Sequence, residues 1–346
     1  MNKAISDTHQ RFKLKSIVTG AAGFIGSHLT DFLLSKGHEV LGIDNLSTGK
    51  LENLTQALKN PSFRFEQIDL SSGAEVDLIK GEYDFIFHLG ALAEIVPSIQ
   101  DPDKYFESNV LGTYNMCQKA RDLSIKKFVY AASSSCYGIP MEFPTPETSK
   151  IDLKYPYALT KYLGEKIVLH WGEVFGFPVI SLRLFNVYGT RSRTSVGYGA
   201  VMGVFLAQML ANEPLTIVGD GEQTRDFTFI NDVVLAFFLA ATSDKENEIY
   251  NVGSGKSRKV IELAQIISKE RRYVFVPKRP GEPEVTFADI SKISKELKWN
   301  PSTTLEEGLS IILESKSDWK DAPVWTPESI SKATADWFKY LGSPNG

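Results

Sequence analysis

Over the first half of the chain, short runs of β-branched and aromatic residues alternate with stretches whose apolar positions recur at helical spacing. Residues 16–19 (Ser-Ile-Val-Thr) form a compact run that stops at Gly20, the pattern of a buried strand. From Gly23 to Lys36 the positions Phe24, Ile25, Leu29, Phe32 and Leu33 follow helical spacing, and Gly37 closes the helix. Further strands are predicted at 39–43, leading into Asp44, and at 63–68, 85–89, 128–132 and 178–184, with helices over 105–123 and 157–174. Strands alternating with helices build βαβ units, so the pattern predicts an α/β protein on a Rossmann-type, doubly wound parallel sheet.

After residue 186 the alternation loosens, and Gly197, Gly199, Gly219, Gly221, Gly253 and Gly255 punctuate shorter elements. The chain therefore divides into a first domain over 14–186 and a smaller α/β lobe over 187–346, with segments threading back to the first. Residues 1–13 read as a loose polar arm. The stretch 321–341 reads as a Pro-containing loop and a helix, whose Trp325, Trp337 and Phe338 would dock an apolar face on the body.

Composition narrows the function classes. With 346 residues and 42% hydrophobic side chains the chain can build an ordinary globular core. Its 38 basic and 42 acidic residues give a net charge of −4 with no basic stripe, so nucleic acid is not an expected partner. Only Cys117 and Cys136 occur, which excludes a disulfide framework and fits a reducing cytosol. The five histidines show no metal-ligand spacing, so no metal site is predicted. The N-terminus has no secretory h-region and no run approaches a membrane span. The expectation is a soluble cytoplasmic protein.

Gly20, Gly23 and Gly26 join the first strand to the first helix. Glycines there allow a tight turn and close approach of backbone to a pyrophosphate, whose charge suits the helix N-terminus. Asp44, at the end of the second strand, stands where a carboxylate would accept hydrogen bonds from a ribose 2′-hydroxyl and repel a 2′-phosphate. The expected cofactor is NAD rather than NADP.

Tyr157 and Lys161 are four residues apart and share one helix face. A phenol is a poor base at neutral pH, and a nearby ammonium favours its phenolate. Ser133, at the carboxyl end of the fifth strand, can donate to and accept from a substrate oxygen. Together the trio points to proton removal from a hydroxyl whose carbon gives up a hydride.

These residues lie within the segments TGAAGFIG, IDNLS, HLGA (His88–Ala91), NVLGT, SSSCYG, YPYALTK, LRLFNVYG, GDGEQTRDF and KRPGEP. In that order they resemble the extended short-chain dehydrogenases/reductases of the NAD-dependent epimerase/dehydratase family, over about Lys15 to Ser315, and are similar to UDP-sugar 4-epimerases. The Gly-x-x-Gly-x-x-Gly spacing is also the form of short-chain dehydrogenases.

The resemblance implies that Ser133, Tyr157 and Lys161 are catalytic. It implies that Phe24, Ile25, Asn45, Leu89, Gly90, Ala91, Asn109 and Phe185 join the glycines, Asp44, Tyr157 and Lys161 around the cofactor, with Asp69 and Leu70 at the adenine edge. It implies that Arg225 and Arg279 hold the substrate's diphosphate, Glu282 a nucleotide ribose and Asn186 the substrate, with Ser98, Ser134 and Ser135 near the hexose. Thr286 lies seven beyond Arg279, where related epimerases admit a 2-acetamido group if the residue is small. The helices at 105–123 and 157–174 match those of a four-helix homodimer interface.

Ser134 and Ser135 stand where family dehydratases carry Asp-Glu and decarboxylases keep a Glu. The resemblance therefore favours 4-epimerisation of a UDP-hexose, plain or N-acetylated. A 4-reductase, a CDP-sugar 2-epimerase, a decarboxylase and a non-catalytic NAD-sensing module stay open as alternatives. Ala93 replaces a lysine of some hexose epimerases, and the Arg191-Ser192-Arg193-Thr194 segment has no clear counterpart in the best-known ones.

Overall fold

A computed structural model of the chain describes residues 13–192, 201–268, 272–315, 319 and 322–342. The polar arm expected over 1–13 lies outside these but for Lys13, as do Arg193, Thr194, Gly197 and Gly199.

Six strands follow the pattern met in the sequence: β1 (Lys15–Thr19), β2 (Glu39–Asp44), β3 (Phe63–Gln67), β4 (Phe85–His88), β5 (Lys127–Ser133) and β6 (Val179–Leu184). A seventh, β7 (Glu248–Val252), returns from the second half of the chain to pair with β6. Every pairing in this sheet is parallel, in the order β3-β2-β1-β4-β5-β6-β7. The order reverses between β1 and β4, and at such a switch point the strand ends leave a crevice for a ligand.

Helix α1 (Phe24–Ser35) buries Leu29 and Leu33 on one sheet face, within a core that continues through Phe205, Phe237 and Trp299. Helices α2 (Gly112–Leu123) and α3 (Pro156–Phe175) cover the other face through Met116, Ala120 and Val168. With apolar layers on both faces, the central strands carry the near-continuous hydrophobic runs that a parallel sheet requires.

The single helix expected over 105–123 is longer and less regular. It starts at Pro102, where the Asp101 side chain accepts from the Lys104 N–H, and passes through a π turn at Glu107–Leu111 before α2. The second half holds helices Val201–Leu210, Ile230–Thr242, Val260–Ile267 and Leu305–Glu314. Its small sheets include the parallel pair Leu215–Val218 and Tyr273–Val276. The tail forms two helices, Pro327–Ala333 and Ala335–Leu341, rather than one. Trp337 is buried, whereas Phe338, expected on the docked face, points outward with 37% exposure.

Candidate functional site

A cleft of about 1080 Å³ opens along the carboxyl ends of the central strands. Its floor is the glycine turn. Gly20 adopts φ +68, and a Cβ there would lie 2.9 Å from the Gly90 nitrogen, so the two turns approach as only glycines allow. A Cβ on Gly26 would collide with the Gly20 carbonyl. Thr19 ties the same turns together, its hydroxyl oxygen accepting from the Leu89 and Gly90 N–H groups at 3.1 and 3.0 Å.

Helix α1 begins at this floor with Gly23 as its cap, no capping side chain and no acidic residue in its first turn. That leaves its N-terminal field for an anion in the cleft, which suits a pyrophosphate. Asp44 lines the next part. Its carboxylate accepts from the Ala22 N–H at 3.0 Å and the Leu46 N–H at 2.8 Å. Burial pushes the Asp44 pKa up, and these two hydrogen bonds oppose it. Burial also pushes Asp69 upward, but hydrogen bonds from Ser71 and Asn45 outweigh it and hold the carboxyl below its usual range. Two carboxylates along one wall fit ribose hydroxyls and an adenine edge better than an added phosphate.

Of the residues the resemblance assigns to the cofactor, the cleft also gathers Phe24, Ile25, Asn45, Leu70, Ala91, Tyr157 and Lys161. Asn109 is not on its surface. It is fully buried, with its carbonyl accepting from the Leu92 N–H at 2.7 Å and its amide donating to Leu92 O and Thr160 Oγ1. Asn109 thus clamps the loop after β4 to α3, a positioning role in place of direct contact. Phe185 is likewise buried, against Tyr137 and Ala288.

Pro156 opens α3, and Tyr157, Lys161 and Glu165 follow at successive four-residue steps. Ser133, the last residue of β5, caps the turn Ser134–Tyr137; its oxygen accepts from the Ser135 N–H at 3.2 Å, and its hydroxyl lies 3.0 Å from that of Ser135. Burial raises the Tyr157 pKa, and a hydrogen bond from Ser133 pulls it partly back. Lys161 is 5% exposed, its ammonium nitrogen sits 4.3 Å from the centre of the Tyr130 ring, and burial lowers its pKa to about 7 against the pull of Glu165.

The ammonium expected to favour the Tyr157 phenolate is thus accompanied by a stronger opposing effect, burial. Desolvation acts on both groups and favours their neutral forms, so activation of Tyr157 must draw on charge carried by what enters the cleft. Sequence reasoning missed Glu165 and Tyr130. The continuing i, i+4 register from Lys161 was the available signal for Glu165; Tyr130 carried none.

The remaining assignments fall outside the main cleft's lining. Arg225 donates to Glu282 Oε1 at 2.7 Å and to the Thr224 carbonyl at 2.9 Å, and Arg279 lies 3.6 Å from Glu282 Oε2. Glu282 thus spans both arginines. Thr286 donates to Asn186 Oδ1 at 2.9 Å and accepts from the Asp226 N–H, which holds the exposed Asn186 amide in one orientation. Ser134 and Ser135 are half-buried beside Ser133. Ser98 was expected in a loop near the hexose. It is instead fully buried in the helix Ile95–Gln100, donating to the Ile95 carbonyl at 2.6 Å, so its hydroxyl is used within the fold.

The NAD dependent epimerase/dehydratase family matches residues 16–253. A putative UDP-glucose 4-epimerase of Methanocaldococcus jannaschii is 35% identical over 303 residues, covering 86% of this chain and 96% of that protein. UDP-glucuronic acid decarboxylase 1 of Arabidopsis thaliana is 34% identical, covering 86% of this chain and 69% of its own length. Among solved structures, the UDP-N-acetylglucosamine 4-epimerase of Methanobrevibacter ruminantium, in complex with UDP-N-acetylmuramic acid, superposes with TM-score 0.82 at 32% identity, over 88% of this chain and 99% of that one.

Proposed function

The chain belongs to the NAD-dependent epimerase/dehydratase family, and we propose that it is the 4-epimerase of a UDP-linked hexose. NAD is its cofactor. Bound in the cleft, NAD supplies a hydride acceptor that hands the same hydride back. The observation that carries the reading is the company Ser133 keeps. Ser133 draws the Tyr157 pKa down, and the following positions bring hydroxyls, Ser134 and Ser135, rather than carboxylic acids. Eliminating water or supporting decarboxylation calls for a second acid–base group beside the reacting carbon. A hydroxyl-lined site with one phenol suits reversible oxidation of one carbinol.

In this reading Tyr157 takes the proton of the sugar's 4-hydroxyl while Ser133 steadies that oxygen. Lys161 supports the charge that develops on the phenol. Arg225 and Arg279 grip the diphosphate, whose oxygens match the planar guanidinium donors now directed at Glu282. The grip keeps the nucleotide in place while the 4-ketose turns about its diphosphate linkage and presents its opposite face to the returning hydride, and Tyr157 gives its proton back to the 4-oxygen.

The small Thr286 leaves space for a 2-acetamido group, so the substrates are UDP-glucose and UDP-galactose together with UDP-GlcNAc and UDP-GalNAc. Incubating the purified protein with these four and following the anomeric NMR signals tests both statements. Interconversion without added reductant is expected, and Thr286→Tyr is expected to lose the N-acetyl pair selectively. Consumption of NADH in proportion to product would mark a reductase, and a new pentose signal from UDP-glucuronate a decarboxylase.

The protein also acts as a homodimer in this reading, and the buried thiols Cys117 and Cys136 suit a reducing cytoplasm. Phe106, Leu111, Tyr114 and Leu159 leave 53%, 39%, 37% and 43% of their surfaces exposed along neighbouring helices, an apolar stripe that a second copy would cover. No helix among the described residues is long and apolar enough to cross a membrane.

A further inference from the structure

The last described stretch of the chain reaches the binding region at two places. Ala322, Pro323 and Trp325 form part of the wall of the cofactor cleft, and the Trp325 carbonyl accepts from Gln208 at 2.6 Å. Farther on, the helix Ala335–Leu341 lies against the helix Ile95–Gln100, where Gln100 donates to Asp336 at 2.9 Å. Between these points the chain has crossed from the second lobe back to the first.

That crossing places one side chain at the substrate end. Trp337 is 3% exposed, and its indole N–H donates to the Pro280 carbonyl at 2.7 Å. The Arg279 guanidinium lies over its ring at 5.4 Å, within the range of a cation–π contact. The ring also meets Tyr155 at 6.3 Å, and Tyr155 stacks on Tyr157 with only 3° between the planes. Trp337 therefore contacts one diphosphate arginine directly and reaches the phenolic base through one ring.

Arg225 is fixed by hydrogen bonds to Glu282 and to the Thr224 carbonyl. Arg279 meets Glu282 at 3.6 Å and has its guanidinium carbon over the indole ring, 5.4 Å from its centre. The ring attracts the cation through its π face and needs none of the N–H donors that a diphosphate takes.

We propose that Trp337 is the positioning residue for Arg279, so that the C-terminal helix of the chain sets the protein's affinity for the diphosphate of its substrate. This rests on the reading of Arg279 as a diphosphate ligand. A preorganised arginine loses less side-chain freedom on binding, so removing its platform weakens binding while leaving proton transfer at Tyr157 largely intact.

The test uses UDP as the probe, titrated calorimetrically into the full-length NAD-containing protein, alongside KM and kcat for the best hexose of the NMR panel. Trp337→Ala is expected to weaken UDP binding and raise KM by about tenfold, with kcat within about twofold of the parent. Trp337→Phe keeps a ring under Arg279 and is expected to recover most of that loss. Gln100→Ala loosens the helix contact without touching the ring and is expected to bind UDP as the parent does. Should Trp337→Ala fail to fold, Trp337→Leu takes its place with the same expected loss.

Parent-like UDP affinity in Trp337→Ala or Trp337→Leu, while Arg279→Ala loses binding, overturns the proposal. So does a Phe variant as weak as the Ala variant. Unchanged binding in Arg279→Ala overturns both this proposal and the diphosphate assignment beneath it. Intact UDP binding with no epimerised hexose overturns the 4-epimerase reading alone.

Discussion

At the scale of single residues, the site is built from groups whose burial works against their charge. Lys161 is the clearest case, with a pKa lowered from its usual value near 10.5 to about 7 by desolvation. The unfolded chain keeps a proton on this lysine up to about pH 10.5, while the folded chain releases it near 7. Stability therefore rises with pH across that window, and at pH 7 the residue costs the fold more than an apolar side chain of the same length would. Lys161→Met is expected to stabilise the protein at pH 7 by about 1–3 kcal/mol while abolishing turnover. The gain should shrink toward pH 10, and urea titrations at both pH values check it. Equal or lower stability of the variant at pH 7 would show that the lysine is already relieved by its surroundings. Asp44 follows the same logic, since burial raises its pKa at the edge of the cleft. Functional groups that destabilise the fold are retained for what they do to ligands.

At the scale of elements, legibility followed periodicity. The strands from β1 to β6 were readable because each is a short apolar run ended by a turn, and α1 and α3 because their apolar positions repeat. β7 was not: Glu248–Val252 is an ordinary five-residue segment whose membership in the sheet depends on a crossover from the second half of the chain. Ser98 was misplaced because a serine in a predicted loop gives no sign that its hydroxyl is satisfied within a helix turn. Asn109 carried a motif but not the direction of its side chain, which only the packing of α3 decides. Likewise, nothing in the pattern tells that Trp337 meets Arg279, some sixty residues away. The hidden part of α3 has its own consequence. Glu165 accepts from Arg183 through both oxygens, at 2.6 and 3.0 Å, and from Ser181 at 2.9 Å, with both charged side chains almost fully buried. This pair ties the helix bearing Tyr157 and Lys161 to β6. Breaking a buried pair leaves a charge without compensation, so Glu165→Gln is expected to destabilise the protein by about 3 kcal/mol, read as a lower urea midpoint at an unchanged slope. A cost under about 1 kcal/mol would mean that Tyr137 and the Glu147 carbonyl, the other partners of Arg183, suffice to hold its charge.

At the scale of the whole molecule, the sheet's centre sets how the fold responds to acid. His88 ends β4 at the switch point, fully buried, with one ring nitrogen 2.8 Å from Thr19 Oγ1 and the other 3.0 Å from Thr113 Oγ1. Its ring stacks on Tyr130, above which Lys161 also sits. Burial first, and the Lys161 charge second, lower its pKa to about 3. The unfolded chain protonates this histidine near pH 6.5, so between that value and 3 the unfolded state binds the extra proton. Stability from this site is complete above about pH 6.5 and declines as the pH falls through the window. From pH 7.5 to pH 5 the loss amounts to about 2 kcal/mol, the free energy of the difference in protonation between the two states. His28, lowered to about 4 by burial within α1, adds a loss of the same sign. Asp226, whose pKa burial raises, opposes both, so the total slope alone does not identify its source. The discriminating comparison is with His88→Gln, which keeps a donor and an acceptor for the two threonines but cannot titrate. Its stability at pH 7.5 is expected to fall, and its loss between pH 7.5 and pH 5 to be smaller than the parent's by about 2 kcal/mol. Identical slopes in urea titrations of the two proteins would show that His88 can be protonated in place. The switch point that opens the cleft would then not be the acid-sensitive centre of the fold.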